Sequence, residues 1–250
     1  MINIRPSGNI ILASKKQYFK IPWCLYSYRE NLSEIEKIIL AEKDSHFSQY
    51  LPVWKNFKPI LKIERLYKIR KENLSFIVTS YFKESFKKKK DWQLKELKEL
   101  ISLKSLELFI SDNQNQKSVK IVEICSKINL PTSSIHGDFH PENIMIDKEK
   151  KLKFIDWTRY NSSSSRFFDL IDYSVFSQKD SNERWFDQWK KLYKIQPAKL
   201  FEIDIKKEYL TAYALWKISE ELKTLYDRRM LNKYKIKKYQ KFLDIITELC

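Results

Sequence analysis

HGDFHPENIMIDKEKKLKFIDW, residues 136–157, holds Gly137, one of only two glycines in a chain of 250 residues. The stretch sets that glycine among two histidines, several acids and Asn143, ahead of two short apolar runs, IMI and LKFI, which the polar turn DKEKK joins. Runs of this kind about a polar turn predict a β-hairpin over 144–155. Asp138, Asn143 five residues on and Asp156 thirteen beyond that would then meet at one end of the hairpin. Phosphoryl transfer uses those residue types: a carboxylate to orient a hydroxyl and take its proton, and hard oxygen ligands for Mg²⁺ beside nucleotide phosphates. Pro141 stiffens the loop, and Gly137 lets the backbone turn tightly. The plain alternative, a surface turn with capping polar residues, needs three independent spacings to coincide.

A second chemistry is written in the same letters. His136, Asp138 and His140 alternate, and on an extended strand they would share one face, as metal ligands do. A metallohydrolase needs further histidines, and only His46 remains, in the ordinary helical context EKDSHFSQ.

The block 136–170 resembles the aminoglycoside phosphotransferase and choline kinase family, the small-molecule branch of the protein-kinase-like fold. HGDFHPEN is similar to its catalytic loop and FIDW to its metal-binding strand end, while DLIDY, with Asp169 and Leu170, resembles the aspartate–leucine pair that braces the loop. The resemblance implies Asp138 as the catalytic carboxylate and Asn143 and Asp156 as magnesium ligands. It implies Lys20, in YFKIPW, as the strand lysine that contacts ATP phosphates. Glu36, sixteen residues on, is its expected ion-pair partner; the same stretch also offers Glu34. Gly8, in PSGN, would lie in the phosphate-covering loop, and Val78 and Ser80, in a strand and hinge over 77–82, would meet the adenine.

The implied architecture is α+β and two-lobed, a small β-rich amino-terminal lobe followed by a larger, mostly helical one. NIILASKKQYFKIPW reads as a hairpin, and SEIEKIILAEKDSHFSQYL as a helix that starts in a capping box of Ser33 and Glu36. LSFIVTSYF, residues 74–82, reads as a strand, and the charged KESFKKKKDW after it as a linker. The expected division is therefore 1–82 for the nucleotide-covering lobe, 83–91 for the hinge and 92–250 for the catalytic and acceptor-binding lobe. WQLKELKELISLKSLELFI predicts a long helix with Leu94, Leu97, Ile101 and Leu108 on one stripe. SVKIVEICSKI continues in helical style. From Asp169 onward helical patterns dominate, with Leu210, Tyr213, Ala214, Ile218, Leu222 and Leu225 on one face.

Composition bounds the partners. The chain is 43% apolar and 14% aromatic, rich enough for a packed core. Three cysteines without a CxxC pair, and no secretory leader at MINIRPSGNIILASKK, fit a reducing cytoplasm. No apolar run approaches the roughly 18 residues of a membrane span. Lys plus Arg exceed Asp plus Glu by 48 − 32 = 16, a field that attracts anions and argues against cationic aminoglycosides as acceptors. RRMLNKYKIKKYQKF, residues 228–242, has seven basic residues and interleaved tyrosines. That pattern binds nucleic acid or an anionic membrane, or is a solvated helix face with Leu231, Ile236 and Phe242 turned inward. Nucleic acid is not the expected partner; peripheral contact with an anionic membrane stays open. The reading is an ATP- and Mg²⁺-dependent kinase of a small hydroxyl compound: a sugar, an amino alcohol, or a phosphorylated or lipid-linked acceptor. Its alternatives are a nucleotide-binding pseudokinase, because PSGN is a thin phosphate loop, and the basic binding module.

Overall fold

A computed structural model of the chain describes residues 2–4, 8–87, 89–103, 106, 115–177, 184–195 and 198–249. The chain divides into two compact units, Met1–Phe86 with Ser134–Ser163, and Lys87–Ser133 with Ser164–Cys250.

In the first unit a five-stranded antiparallel sheet has the order β1-β2-β3-β5-β4. Its strands are β1 (Ile2–Ile4), β2 (Asn9–Ala13), β3 (Gln17–Pro22), β4 (Trp54–Phe57) and β5 (Ile60–Glu64). β2 and β3 are the expected hairpin, closed around Ser14, whose hydroxyl accepts the Gln17 N–H.

Helix α1 (Leu25–Glu42) follows β3. It starts at Cys24 rather than at the expected capping box of Ser33 and Glu36, because Ser27 completes the cap: its hydroxyl accepts the backbone N–H of Cys24 at 3.1 Å. Ser27, Asn31, Glu34, Ile35, Ile38 and Ala41 form the buried face. Glu36, two residues or about 200° around from Glu34, is exposed.

The segment read as a strand over 74–82 is helical, within α2 (Lys71–Ser85). Val78, Tyr81, Phe82 and Ser85 are buried at helical spacing, whereas Phe76 is 77% exposed. A single buried stripe favours the helix despite the β-branched and aromatic composition. The hydroxyls of Thr79, Ser80 and Ser85 bond back to carbonyls four residues earlier, which satisfies them inside the helix.

The chain leaves the first unit after Phe86, within the expected linker, and returns to it at Ser134. Residues 134–163, which the sequence reading assigns to 92–250, therefore fold with the amino-terminal part. The reason is an aromatic core: Phe139 stacks on Tyr81 at 5.2 Å, Tyr50 stacks on Phe154 at 4.9 Å, and Phe47 meets Trp157 edge-on at 5.4 Å. Here β6 (Tyr67–Lys68) pairs with β10 (Ile144–Ile146), which pairs with β11 (Leu152–Phe154).

In the second unit the expected long helix at its start is instead β7 (Leu94–Glu96) and a single turn, α3 (Leu97–Leu100); Leu108 lies outside the described residues. β7 pairs with β8 (Asn129–Pro131), which follows α4 (Asn115–Lys127). β9 (Ser133–Ile135) pairs with β12 (Asn161–Ser164) at the chain's two passages between units. The helices α5 (Arg166–Ser177), α6 (Trp185–Lys194), α7 (Lys207–Asp227) and α8 (Lys233–Leu249) supply the bulk of this unit, with a small hairpin of β13 (Ala198–Leu200) and β14 (Ile203–Ile205).

Leu210, Tyr213, Ala214, Ile218 and Leu222 of α7 are fully buried, as the periodicity predicts. Asp169 and Asp172 of α5 are fully buried as well, and Asp172 accepts hydrogen bonds from Tyr213 at 2.6 Å and Lys217 at 2.7 Å. Of the basic stretch, Tyr239 and Phe242 turn inward while Lys233, Lys237 and Lys241 face solvent. Among the described residues no helix is long and apolar enough to cross a membrane.

Candidate active site

The hairpin register carries the site. Ile144 stands opposite Phe154, so the next residues outward, Asn143 and Ile155, are joined by the Ile155 N–H donating to the Asn143 carbonyl at 3.0 Å. Asn143, at the end of a 3₁₀ turn over Pro141–Asn143, and Asp156, one residue past Ile155, thus share the open end of the hairpin. Asp147 closes the other end, where its carboxylate accepts the N–H groups of Glu149 and Lys151.

Gly137 is required twice over. Its φ is +83°, a left-handed conformation, and a Cβ placed on it would stand 2.2 Å from the carbonyl oxygen of Arg159. The backbone of the Gly137 loop therefore lies directly against the 3₁₀ turn Trp157–Arg159 that follows Asp156. Asp156 is itself left-handed, with φ +63° and ψ +66°. That conformation costs about 1 kcal/mol or more for a non-glycine residue and collects at functional sites. Thr158 donates to its Oδ1 at 2.9 Å.

The loop holds the Asp138 carboxylate through its Oδ2. Its Oδ2 accepts from Asn143 Nδ2 at 3.1 Å and from His140 Nε2 at 3.2 Å, and Asn143 Nδ2 also reaches the Asp138 backbone carbonyl at 2.9 Å. Arg159 Nη1 stands 3.6 Å from Oδ1, an ion pair beyond hydrogen-bond range. The Asp138 side chain keeps 23% of its surface in solvent, so a hydroxyl can reach it.

His136 is fully buried and donates from Nε2 to the Ile155 carbonyl at 3.0 Å. Burial pushes its pKa down to about 4, against the opposing pull of the Asp138 and Asp156 carboxylates, so the ring is neutral. His46 bonds Tyr81 Oη at 3.1 Å. These two histidines are structural, and the metallohydrolase reading loses its ligands.

On the sheet, Lys20 Nζ pairs at 2.7 Å with Glu34 of α1, not with the expected Glu36. Glu34 is 2% exposed and Lys20 17%. Burial alone would lower the Lys20 pKa, but the carboxylates of Glu34 and, next, Asp156 outweigh it and hold the ammonium charged. Lys20, Glu34 and Asp156 are thus one electrostatic group, a link that spacing in the sequence does not reveal. Gly8 has φ +79°, and a Cβ there would meet Cys24 Sγ at 2.6 Å, so close packing on the start of α1 explains this glycine.

Val78 and Ser80 need correction. Their backbone groups lie in the ladder of α2, Val78 is fully buried, and Ser80 Oγ donates to the Phe76 carbonyl. Neither presents strand or hinge backbone to an adenine. Sequence reasoning also missed Arg159, and it missed Asp44, whose Oδ2 accepts from Tyr160 Oη at 2.9 Å and ties the end of α1 to the segment that follows Asp156. A charged residue three positions after Asp156 was the only available signal for Arg159.

The residues fit Mg²⁺ in their donor chemistry. Asn143 turns its Nδ2 toward Asp138, which assigns its other amide atom, the oxygen, as the available donor, beside the carboxylate of Asp156 on the same hairpin end.

The α+β fold and this loop define a protein-kinase-like phosphotransferase architecture with a small sheet-bearing part and a mostly helical one. Residues 81–202, about half of the chain, match the model of the phosphotransferase enzyme family, APH, so the resemblance carried by the 136–170 block is shown. Among solved structures the chain is similar to choline kinase LicA from Streptococcus pneumoniae, at 13% identity, covering 99% of this chain and 93% of that one, with a TM-score of 0.61. It is also similar to the ADP-bound aminoglycoside phosphotransferase APH(2'')-Ib, at 13% identity, 99% and 91% coverage and a TM-score of 0.57. The streptomycin–ATP–APH(2")-IIa ternary complex matches at 13%, 100% and 92%, and 0.58. No curated protein matches the sequence at a significant level.

Proposed function

We propose that the protein is an ATP- and Mg²⁺-dependent kinase that phosphorylates a hydroxyl group of a small molecule. The observation that carries this reading is the meeting of Asp138, Asn143 and Asp156 at one hairpin end, with Lys20 held charged by Glu34 and Asp156. Nucleotides in two of the similar structures support it, one bound to ADP and one to ATP.

In this reading the acceptor hydroxyl oxygen attacks the γ-phosphorus, the bond to the β,γ-bridging oxygen breaks, and ADP leaves. Asp138 orients the hydroxyl and takes its proton, while Asn143 and His140 fix the carboxylate so that it does not turn away. Lys20 contacts the phosphates with a charge that its buried partner keeps in place. Magnesium held by Asn143 and Asp156 would neutralise phosphate charge. Catalysis then comes mainly from positioning and charge compensation. Gly8 stands in this reading as backbone under the phosphates, and the cysteine usage supports a cytoplasmic setting.

The test is thermal stabilisation by ATP with and without Mg²⁺, followed by nucleotide consumption against pooled hydroxyl metabolites. Asp156→Ala should abolish the magnesium-dependent stabilisation, and Asp138→Asn should keep it while losing turnover by on the order of 100-fold or more. Stabilisation of Asp156→Ala equal to the parent's sinks the metal assignment. Binding without turnover on any pool identifies a pseudokinase.

A further inference from the structure

We infer that the corner between α7 and α8 docks the protein on an anionic lipid surface, where Tyr226, Met230 and Tyr234 enter the headgroup layer and the basic side chains around them meet lipid phosphates. The inference goes beyond the kinase reading and does not rest on it: it concerns where the protein sits, and its test needs no turnover.

The turn 228–232 joins the two helices, and Arg229 within it is left-handed, with φ +53°. Large side chains stand out at both ends and in the middle of this turn: Tyr226 is 62% exposed, Met230 50% and Tyr234 69%. Residues 226–241 hold seven basic residues against a single acid, Asp227. Of these bases Arg229, Lys233, Lys237 and Lys241 are exposed.

Helix α8 keeps this surface apart from its core. At about 100° per residue, the buried Tyr239, Phe242, Leu243 and Ile246 fill one arc of the helix. Lys233, Tyr234, Lys237 and Lys241 fall on the opposite arc. Acids return only further along, at Asp244 and Glu248, so the positive patch is confined to the corner and the first half of α8.

That order of charge runs against the helix. The macrodipole favours acids in a first turn and bases in a last one. α8 has no acid in its first turn and no base in its last; Lys233 and Lys235 occupy the first, and Glu248 the last. Helix stability does not account for lysines placed there, whereas a partner of opposite charge does.

The side chains between the bases choose the partner. Lys and Arg meet phosphate in lipid and in nucleic acid alike. A base stack would engage the tyrosine rings but has no use for the thioether of Met230. A lipid interface takes both, phenol rings at headgroup level and an aliphatic chain just beneath them. The net charge of +16 draws the whole chain toward the same surface.

The experiment measures partition of the full chain onto vesicles of phosphatidylglycerol mixed with phosphatidylcholine, onto phosphatidylcholine alone, and onto single-stranded and duplex oligonucleotides, at low and at physiological salt. The parent should bind the mixed vesicles and not the neutral ones, and salt should weaken binding. A basic side chain close to an anionic leaflet is worth about fivefold in binding. Arg229→Gln, Lys233→Gln and Lys237→Gln together should therefore cost on the order of 100-fold, and Met230→Ser with Tyr234→Ser about 10-fold. Lys233→Arg with Lys237→Arg should hold, which separates lost charge from misfolding. The control changes Lys15→Gln, Lys16→Gln and Lys148→Gln, exposed and far from the corner in sequence, remove the same charge and should stay within about threefold.

Absence of binding to the mixed vesicles overturns the inference, as does equal binding to the neutral ones. An equal loss in the control overturns it too, since charge at any place would then serve, and an unchanged Met230→Ser, Tyr234→Ser variant removes the insertion. Tighter binding to an oligonucleotide than to the vesicles, lost in the corner variant, assigns the corner to nucleic acid. Binding of MgATP, read on the same samples, reports on the kinase reading separately.

Discussion

At the scale of single residues, the site is built from conformations and charges that are costly elsewhere. Gly137 and Asp156 both take left-handed backbone, and His136 sits neutral under the loop they define. The histidine makes a testable contribution. Its pKa in the folded protein, about 4, lies below the ordinary 6.5, so protons favour the unfolded chain. The stability that the neutral ring supplies is full above about pH 6.5 and is lost as pH falls toward 4. Between pH 7 and 5 the parent should lose about 2 kcal/mol more than His136→Gln in urea unfolding. Parallel pH profiles for the two proteins would show that His136 is not buried neutral. Gly137 was legible from scarcity alone, but the reason for it, the Arg159 carbonyl 2.2 Å from a hypothetical Cβ, involves a residue 22 positions away.

Among the elements, the first hairpin and the one over 144–154 followed from local alternation and turn chemistry, which act over few residues. The helix α2 did not. Its LSFIVTSYF core has strand composition, and the packing of Tyr81 and Phe82 on Phe139, with Val78 buried on the same stripe, decides for a helix. The start of α1 was missed because Cys24 is not a standard cap residue, and Lys20 pairs with Glu34 rather than Glu36 because Glu34 is on the buried face of the helix. The pairing can be measured. Glu34→Gln should weaken MgATP binding by on the order of 10-fold, because it removes the charged bond that fixes Lys20. Glu36→Gln, on the exposed face, should leave it within about twofold. Equal effects of the two substitutions would contradict the pairing.

For the whole molecule, charge is the property that composition states directly and structure must locate. The changes Lys235→Glu, Lys237→Glu and Lys238→Glu lower the formal charge from +16 to +10, that is 16 − 6. All three lie on α8, and none is among Lys20, Glu34, Asp138, Asn143 and Asp156, the residues of the proposed site. MgATP affinity and turnover of the triple variant should therefore stay within a few fold of the parent. Loss of both, together with a tight and salt-sensitive nucleic-acid complex in the parent, would favour the binding module.

The sequence by itself determined the hairpin over 144–154, the glycine-bearing loop before it and the resemblance to the phosphotransferase family, since all depend on residues close together in the chain. The division of the chain depended on tertiary structure, because residues 134–163 leave the stretch assigned to the helical lobe and fold with Met1–Phe86 around shared aromatic rings. Two charge relations had the same origin. Glu34 faces Lys20 because it lies on the face of α1 that packs inward, and Arg159 faces Asp138 because a left-handed aspartate turns the chain back onto Gly137. Short-range spacing fixes which groups a loop can offer; which charges surround them is set by chain segments that meet only when the core closes.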